Sequence, residues 1–114
     1  YSFTSDPLAE AIRARAEEGV TVKGVMDAEQ IKSNIGTEFD PFRQAGIDVR
    51  ADGIPGLLHH KVIIIDEQIV ITGSYNFTNS AETRNDENLL VIYDPFIASQ
   101  YLAEFQRVFA LATK

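Results

Sequence analysis

Two apolar, β-branched runs set the strongest limit on how this chain can fold. Residues 57–65 and 68–73 flank the polar pair Asp66-Glu67, and the second run ends in Gly73. Runs of this length and composition, broken by a polar pair, predict two adjacent strands joined by a tight turn. The first run is interrupted by His59-His60-Lys61, and the second is followed by Ser74-Tyr75-Asn76. Side chains on a strand alternate faces. His59, Lys61 and Ile63 therefore share one face, and His60, Val62 and Ile64 the other. This parity makes His59, rather than His60, the partner of Lys61. Asp66 has the opposite parity and is expected to organise the turn without touching substrate. Ser74 and Asn76 share parity, and Gly73 allows a close backbone approach or a bulge.

The residue types point to chemistry at phosphorus. A neutral imidazole, with an ordinary pKa of about 6.5, serves as nucleophile or acid near neutral pH. A covalent step divides one difficult displacement into two easier ones. Lys61 offers a compact positive charge, and Ser74 and Asn76 offer neutral donors, for holding phosphoryl oxygens in the transition state. A nucleophilic His needs a partner on its far nitrogen, and Glu87 is the candidate. Any one of these residues alone would be an ordinary surface or turn residue. Together they interrupt strands that otherwise favour apolar side chains.

The pattern His59-x-Lys61-x4-Asp66-x6-Gly73-Ser74-x-Asn76 resembles the signature of the phospholipase D superfamily. The resemblance continues through Phe77-Thr78-Asn79-Ser80-Ala81-Glu82 and Glu87-Asn88, and includes Tyr1-Ser2-Phe3-Thr4-Ser5 and the following helix. It is nearest to small bacterial members with one motif per chain, which act as nonspecific endonucleases or phosphodiesterases. It implies a two-step mechanism without a divalent metal or other cofactor. One His attacks phosphorus to form a phosphohistidine; a second protonates the leaving oxygen and then activates water. Carried onto this chain, His59 fills either role, Lys61 and Asn76 bind phosphate oxygens, Ser74 supports them, Glu87 orients His59, and Asp66 and Gly73 are structural. The chain holds one motif and no internal repeat. A homodimer with both His59 residues facing across a two-fold axis is therefore expected. The alternative is one half of a two-motif protein.

A chain of 114 residues allows one domain, expected to span residues 1–114. No run of 18 or more apolar residues is present to span a membrane. No cysteine is present, which excludes disulfides and thiolate metal sites. The net charge of −7 is unfavourable for tight nucleic-acid binding, which draws on basic surface. Lys23, Lys32, Arg43, Arg50, Lys61 and Arg84 still supply local charge. The leading expectation is thus a phosphodiesterase acting on nucleic acid. A phospholipase or phosphatidyltransferase, and a non-catalytic nucleic-acid-binding domain of a larger protein, are the alternatives. Compartment is not legible.

The rest of the pattern predicts α/β architecture: a mixed sheet with helices on both faces. Tyr1-Ser2-Phe3-Thr4 reads as the end of a strand, and the abrupt start implies that N-terminal sequence has been removed. Ser5-Asp6-Pro7 opens a helix that Gly19 ends. Val20 to Met26 is a strand. Asp27 to Thr37 is a loop or short helix near the site. Phe39 to Ala45 is a short helix, and Ile47 to Arg50 a strand. Phe77 to Asn85 is irregular. Leu89 to Tyr93 is a buried strand. Asp94-Pro95 starts a final helix with a core stripe of Ile97, Tyr101, Leu102, Phe105, Val108 and Phe109.

Overall fold

The computed structural model describes residues 1–33 and 35–113. Its helices are α1 (Asp6–Glu17), α2 (Ala28–Ser33), α3 (Phe39–Gln44), α4 (Asn79–Thr83) and α5 (Pro95–Leu111). Its strands are β1 (Lys23–Met26), β2 (Asp48–Ala51), β3 (Val62–Ile65), β4 (Ile69–Gly73) and β5 (Leu89–Tyr93). β1 and β2 run parallel, joined by a crossover through α2 and α3. β3, β4 and β5 form an antiparallel sheet in that order.

Alternation along β1 and β2 sends side chains to two helical layers. Met26 and Val49 join Ala9 of α1 and Phe39 and Phe42 of α3 in a buried cluster. Lys23 and Arg50 point the other way, to Phe109 of α5, with the Arg50 guanidinium 3.8 Å from the ring centroid. Helices therefore flank this sheet on both faces.

The extended segment 1–5 ties the two sheets together. Phe3 forms a parallel bridge with Phe77, and Thr4 and Ser5 donate to the Phe77 carbonyl at 3.0 and 2.9 Å. Glu38 N–H donates to the Phe3 carbonyl at 3.0 Å, which fastens the same segment to the start of α3.

The β3–β4 turn falls where the sequence places it. Asp66 and Glu67 both adopt left-handed φ, 54° and 57°, and Gln68 N–H closes on Ile65 O at 3.0 Å. Consecutive left-handed residues match the twist of the flanking strands. Helix α1 ends as expected at Gly19, which takes φ of 97° while Val20 N–H returns to the Arg15 carbonyl.

Four expectations are corrected. β1 begins at Lys23, because residues 18–20 are used in closing α1. β3 begins at Val62, because backbone groups of the preceding residues bond elsewhere: Leu58 N–H to Asp27, and the His60 carbonyl to the Tyr1 amine. Residues 79–83 are helical, not irregular, with the Thr78 hydroxyl accepting from Ala81 N–H at 3.1 Å. β5 is an outer strand whose apolar residues are largely exposed, Tyr93 at 77%. An apolar run reports strand character without reporting what covers it. The segment Asp27 to Thr37 contains α2; Asn34 lies outside the described residues.

Candidate active site

Lys61 is the centre of the site. It is only 8% exposed, unusual for a lysine, and its ammonium is partnered within the motif. Nζ donates to the His59 carbonyl at 2.7 Å and lies 3.0 Å from His59 Nδ1. Nζ is also 3.5 Å from Nε2, so the ammonium sits against the ring rather than in line with one nitrogen lone pair. Burial lowers the Lys61 pKa, and the Glu87 carboxylate opposes that shift. The Tyr1 ring packs against the imidazole at 4.8 Å between centroids, and Lys61 Nζ sits 5.4 Å from the same ring.

The end of β4 and the residues after it supply the second wall. Gly73 brings the chain so close to Asn88 that a Cβ would fall 2.3 Å from its carbonyl oxygen and 2.7 Å from Oδ1. Its φ of 154° also disfavours other residues. The approach lets Asn88 N–H donate to Ser74 Oγ at 3.1 Å while Ser74 N–H donates to Asn88 Oδ1 at 3.2 Å. Ser74 Oγ in turn donates to Glu87 Oε1 at 2.5 Å, and Asn85 Nδ2 donates to Glu87 Oε2 at 3.1 Å. Asn76 Oδ1 accepts from Ser2 N–H at 3.3 Å, next to the tyrosine that covers His59. Its amide nitrogen remains the donor end. The Tyr75 hydroxyl donates to Glu82, a bond that raises the Tyr75 pKa.

The structure thus joins His59 to Lys61, and Ser74 to Glu87. Segment 1–5 links the first pair to Asn76. Asp66 stays in the turn. The side-chain bonds of Glu87 run to Ser74 and Asn85, and the His59 ring meets Lys61 and Tyr1. His60 turns away towards α5, with Nε2 3.4 Å from Glu104 Oε1. Arg107 also bonds Glu104 and holds its carboxyl at about 2. A cavity of about 310 Å³ opens beside both histidines, walled by Ile54, Leu57, Leu58 and Val108, with Arg107 among its lining residues. Among the described residues, no group of three His, Asp or Glu side chains gathers as a metal site. The segment from Asp27 borders the site as its sequence suggests, but Tyr1, Asp27 and Gln30 were not among the candidate residues. The one available signal was Asp27-x-x-Gln30, a helix-capping pattern before α2.

A family model described as a cardiolipin synthase, PLD-like domain, matches residues 1–109. The chain belongs to this phospholipase D-like family. It is 38% identical over 108 residues to human mitochondrial cardiolipin hydrolase, covering 95% of this chain and 42% of the relative. It is 40% identical over 102 residues to phospholipase D of Rickettsia typhi, covering 90% of this chain and 50% of the relative. The chain therefore spans about half the length, or less, of these relatives. Among solved structures it is similar to the phospholipase D family member Nuc from Salmonella typhimurium, with a TM-score of 0.92 and 36% identity. That match covers 98% of this chain and 75% of Nuc. NucT from Helicobacter pylori matches with a TM-score of 0.93 and 27% identity, covering 99% of this chain and 77% of NucT.

Proposed function

We propose that this chain carries half of a phosphodiesterase site that cleaves nucleic-acid phosphodiester bonds through a phosphohistidine, without a metal cofactor. The observation that carries the proposal is the buried Lys61 ammonium 3.0 Å from His59 Nδ1, backed by the Ser74–Glu87 pair. A buried cation whose partners are a carbonyl and a neutral ring is prepared for an anion. An incoming phosphate would draw the ammonium from the ring, freeing His59 to attack. The N–P bond forms as the P–O bond to the leaving group breaks. His59 of a second copy gives its proton to the leaving oxygen. That residue then takes a proton from water, which attacks phosphorus and breaks the N–P bond. Lys61 and the Asn76 amide hold the equatorial oxygens. Glu87 acts on the site through Ser74 and through its charge on Lys61.

One motif is half of such a site, so the proposed active form is a two-fold homodimer, and the alternative is a second motif in a longer protein of which this sequence is one half. A second reading, hydrolysis of a phospholipid head group, is favoured by the names of the relatives, cardiolipin hydrolase and phospholipase D.

The test is turnover of bis-p-nitrophenyl phosphate in excess EDTA over a protein dilution series, beside His59→Ala. EDTA-resistant turnover that requires His59 and falls steeply on dilution is expected. Activity surviving in His59→Ala would place the nucleophile elsewhere. Plasmid DNA, RNA and cardiolipin vesicles offered in parallel rank the substrates.

A further inference from the structure

Asp27 is the most deeply buried charged side chain among those described, 1% exposed, and the mechanism above does not use it. Its two carboxylate oxygens serve different segments. Oδ2 accepts from Gln30 N–H at 3.0 Å, capping α2 in the ordinary way. Oδ1 accepts from Leu58 N–H at 2.9 Å, 31 residues along the chain and one residue before His59. A plain helix cap needs only the first bond and is seldom so buried. The second bond anchors a stretch that has no strand ladder to define it, since β3 starts at Val62.

The first turn of α2 also reaches His59 by another route. Gln30 Nε2 donates to the Tyr1 hydroxyl at 2.8 Å, and the Tyr1 ring lies on the imidazole. One turn of helix therefore holds both the backbone behind His59 and the ring in front of it.

Resting on the reading of His59 as nucleophile, we propose that Asp27 is a positioning residue for His59, with Gln30 and Tyr1 as its second arm. In Asp27→Asn, one oxygen still accepts one N–H, but the new amide NH₂ faces the other N–H, donor against donor. One anchor is lost and the imidazole shifts relative to Lys61. Displacements of about 1 Å cost up to roughly 100-fold in rate. A fall in kcat of about 10- to 100-fold, with KM nearly unchanged, is expected. Gln30→Leu, which leaves the Asp27 cap in place, is expected to cost about 3- to 10-fold by the same measure.

The readout that separates positioning from general damage is NMR of the His59 ring, one of only two histidines in the chain. His60 follows His59 directly and its carbonyl accepts from the Tyr1 amine, so the internal reference is the exposed Tyr93 ring at the end of β5. In both variants the His59 ring resonances should move while those of Tyr93 stay. His59 unmoved in both variants, or His59 and Tyr93 moving together, would overturn the proposal. Should Asp27→Asn fail to fold, Gln30→Leu decides alone by the same criterion. The spectra need no turnover, so they stand apart from the function itself, which His59→Ala tests. Loss of activity in His59→Ala with full kcat in Asp27→Asn would keep the function and discard the positioning role.

Discussion

Replacing Glu38 by Gln should make the protein more stable at alkaline pH. Glu38 is 3% exposed at the start of α3, beside the Asp6 and Glu10 carboxyls and with Arg13 at 3.7 Å. Burial, then Asp6, raise its pKa from 4.5 to about 7, against the opposing pull of Arg13. Because the folded value lies above the unfolded one, the stabilising contribution is complete below pH 4.5 and is lost as pH rises towards 7. A shift of that size corresponds to roughly 3 kcal/mol, most of it lost between about pH 5 and pH 8. Gln keeps the shape and does not titrate. In urea melts at both pH values, the stability difference between wild type and Glu38→Gln should change by about 2–3 kcal/mol. At an m-value of about 1–2 kcal/mol/M this moves the relative midpoint by roughly 1–3 M, with the variant ahead at pH 8. Parallel behaviour of the two proteins across this range would refute the assignment of a neutral carboxyl at Glu38.

Further outcomes follow from other sites. Gly73→Ala would drive a methyl into Asn88 and separate it from Ser74; a destabilisation of about 1–3 kcal/mol is expected by thermal melting, with loss of most activity. Glu67→Gly relieves a left-handed non-glycine residue in the β3–β4 turn and should stabilise by about 0.5–1 kcal/mol, with turnover unchanged. Glu87→Gln removes the carboxylate that keeps Lys61 protonated against burial, so its pKa falls further. The alkaline limb of the kcat/KM profile should then move to lower pH, and an unmoved limb would show that Lys61 does not set it.

The pairing of His59 with Lys61 was legible from parity alone, and it survives although the residues precede β3 instead of lying in it. The tight turn was legible because a polar pair between two β-branched runs has few other solutions. The end of α1 was legible because Gly19 can adopt the left-handed conformation. Asp27 was not, because its value lies in a bond to Leu58, and no local pattern encodes a contact 31 residues away. Helix α4 had readable signals in Thr78 and in the buried pair Phe77 and Ala81 at helical spacing, masked by the polar residues around them. Exposure of β5 was hidden for a different reason: composition describes the strand and is silent about its neighbours.

The stitching of segment 1–5 to Asn76 and Phe77 has a kinetic consequence. Ser2 and Asn76 are 74 residues apart, so their contact closes one of the longest loops in the fold, whereas the β3–β4 hairpin closes one of the shortest. Loop closure is an entropic cost met before the contact gives anything back. Docking of the N-terminal segment should therefore come after the hairpin, with φ-values near zero at Ser2 to Thr4 and higher values around Val70. Tyr1 and Asn76 reach their places only in that late event, so a refolding chain should regain its strands before it regains its chemistry.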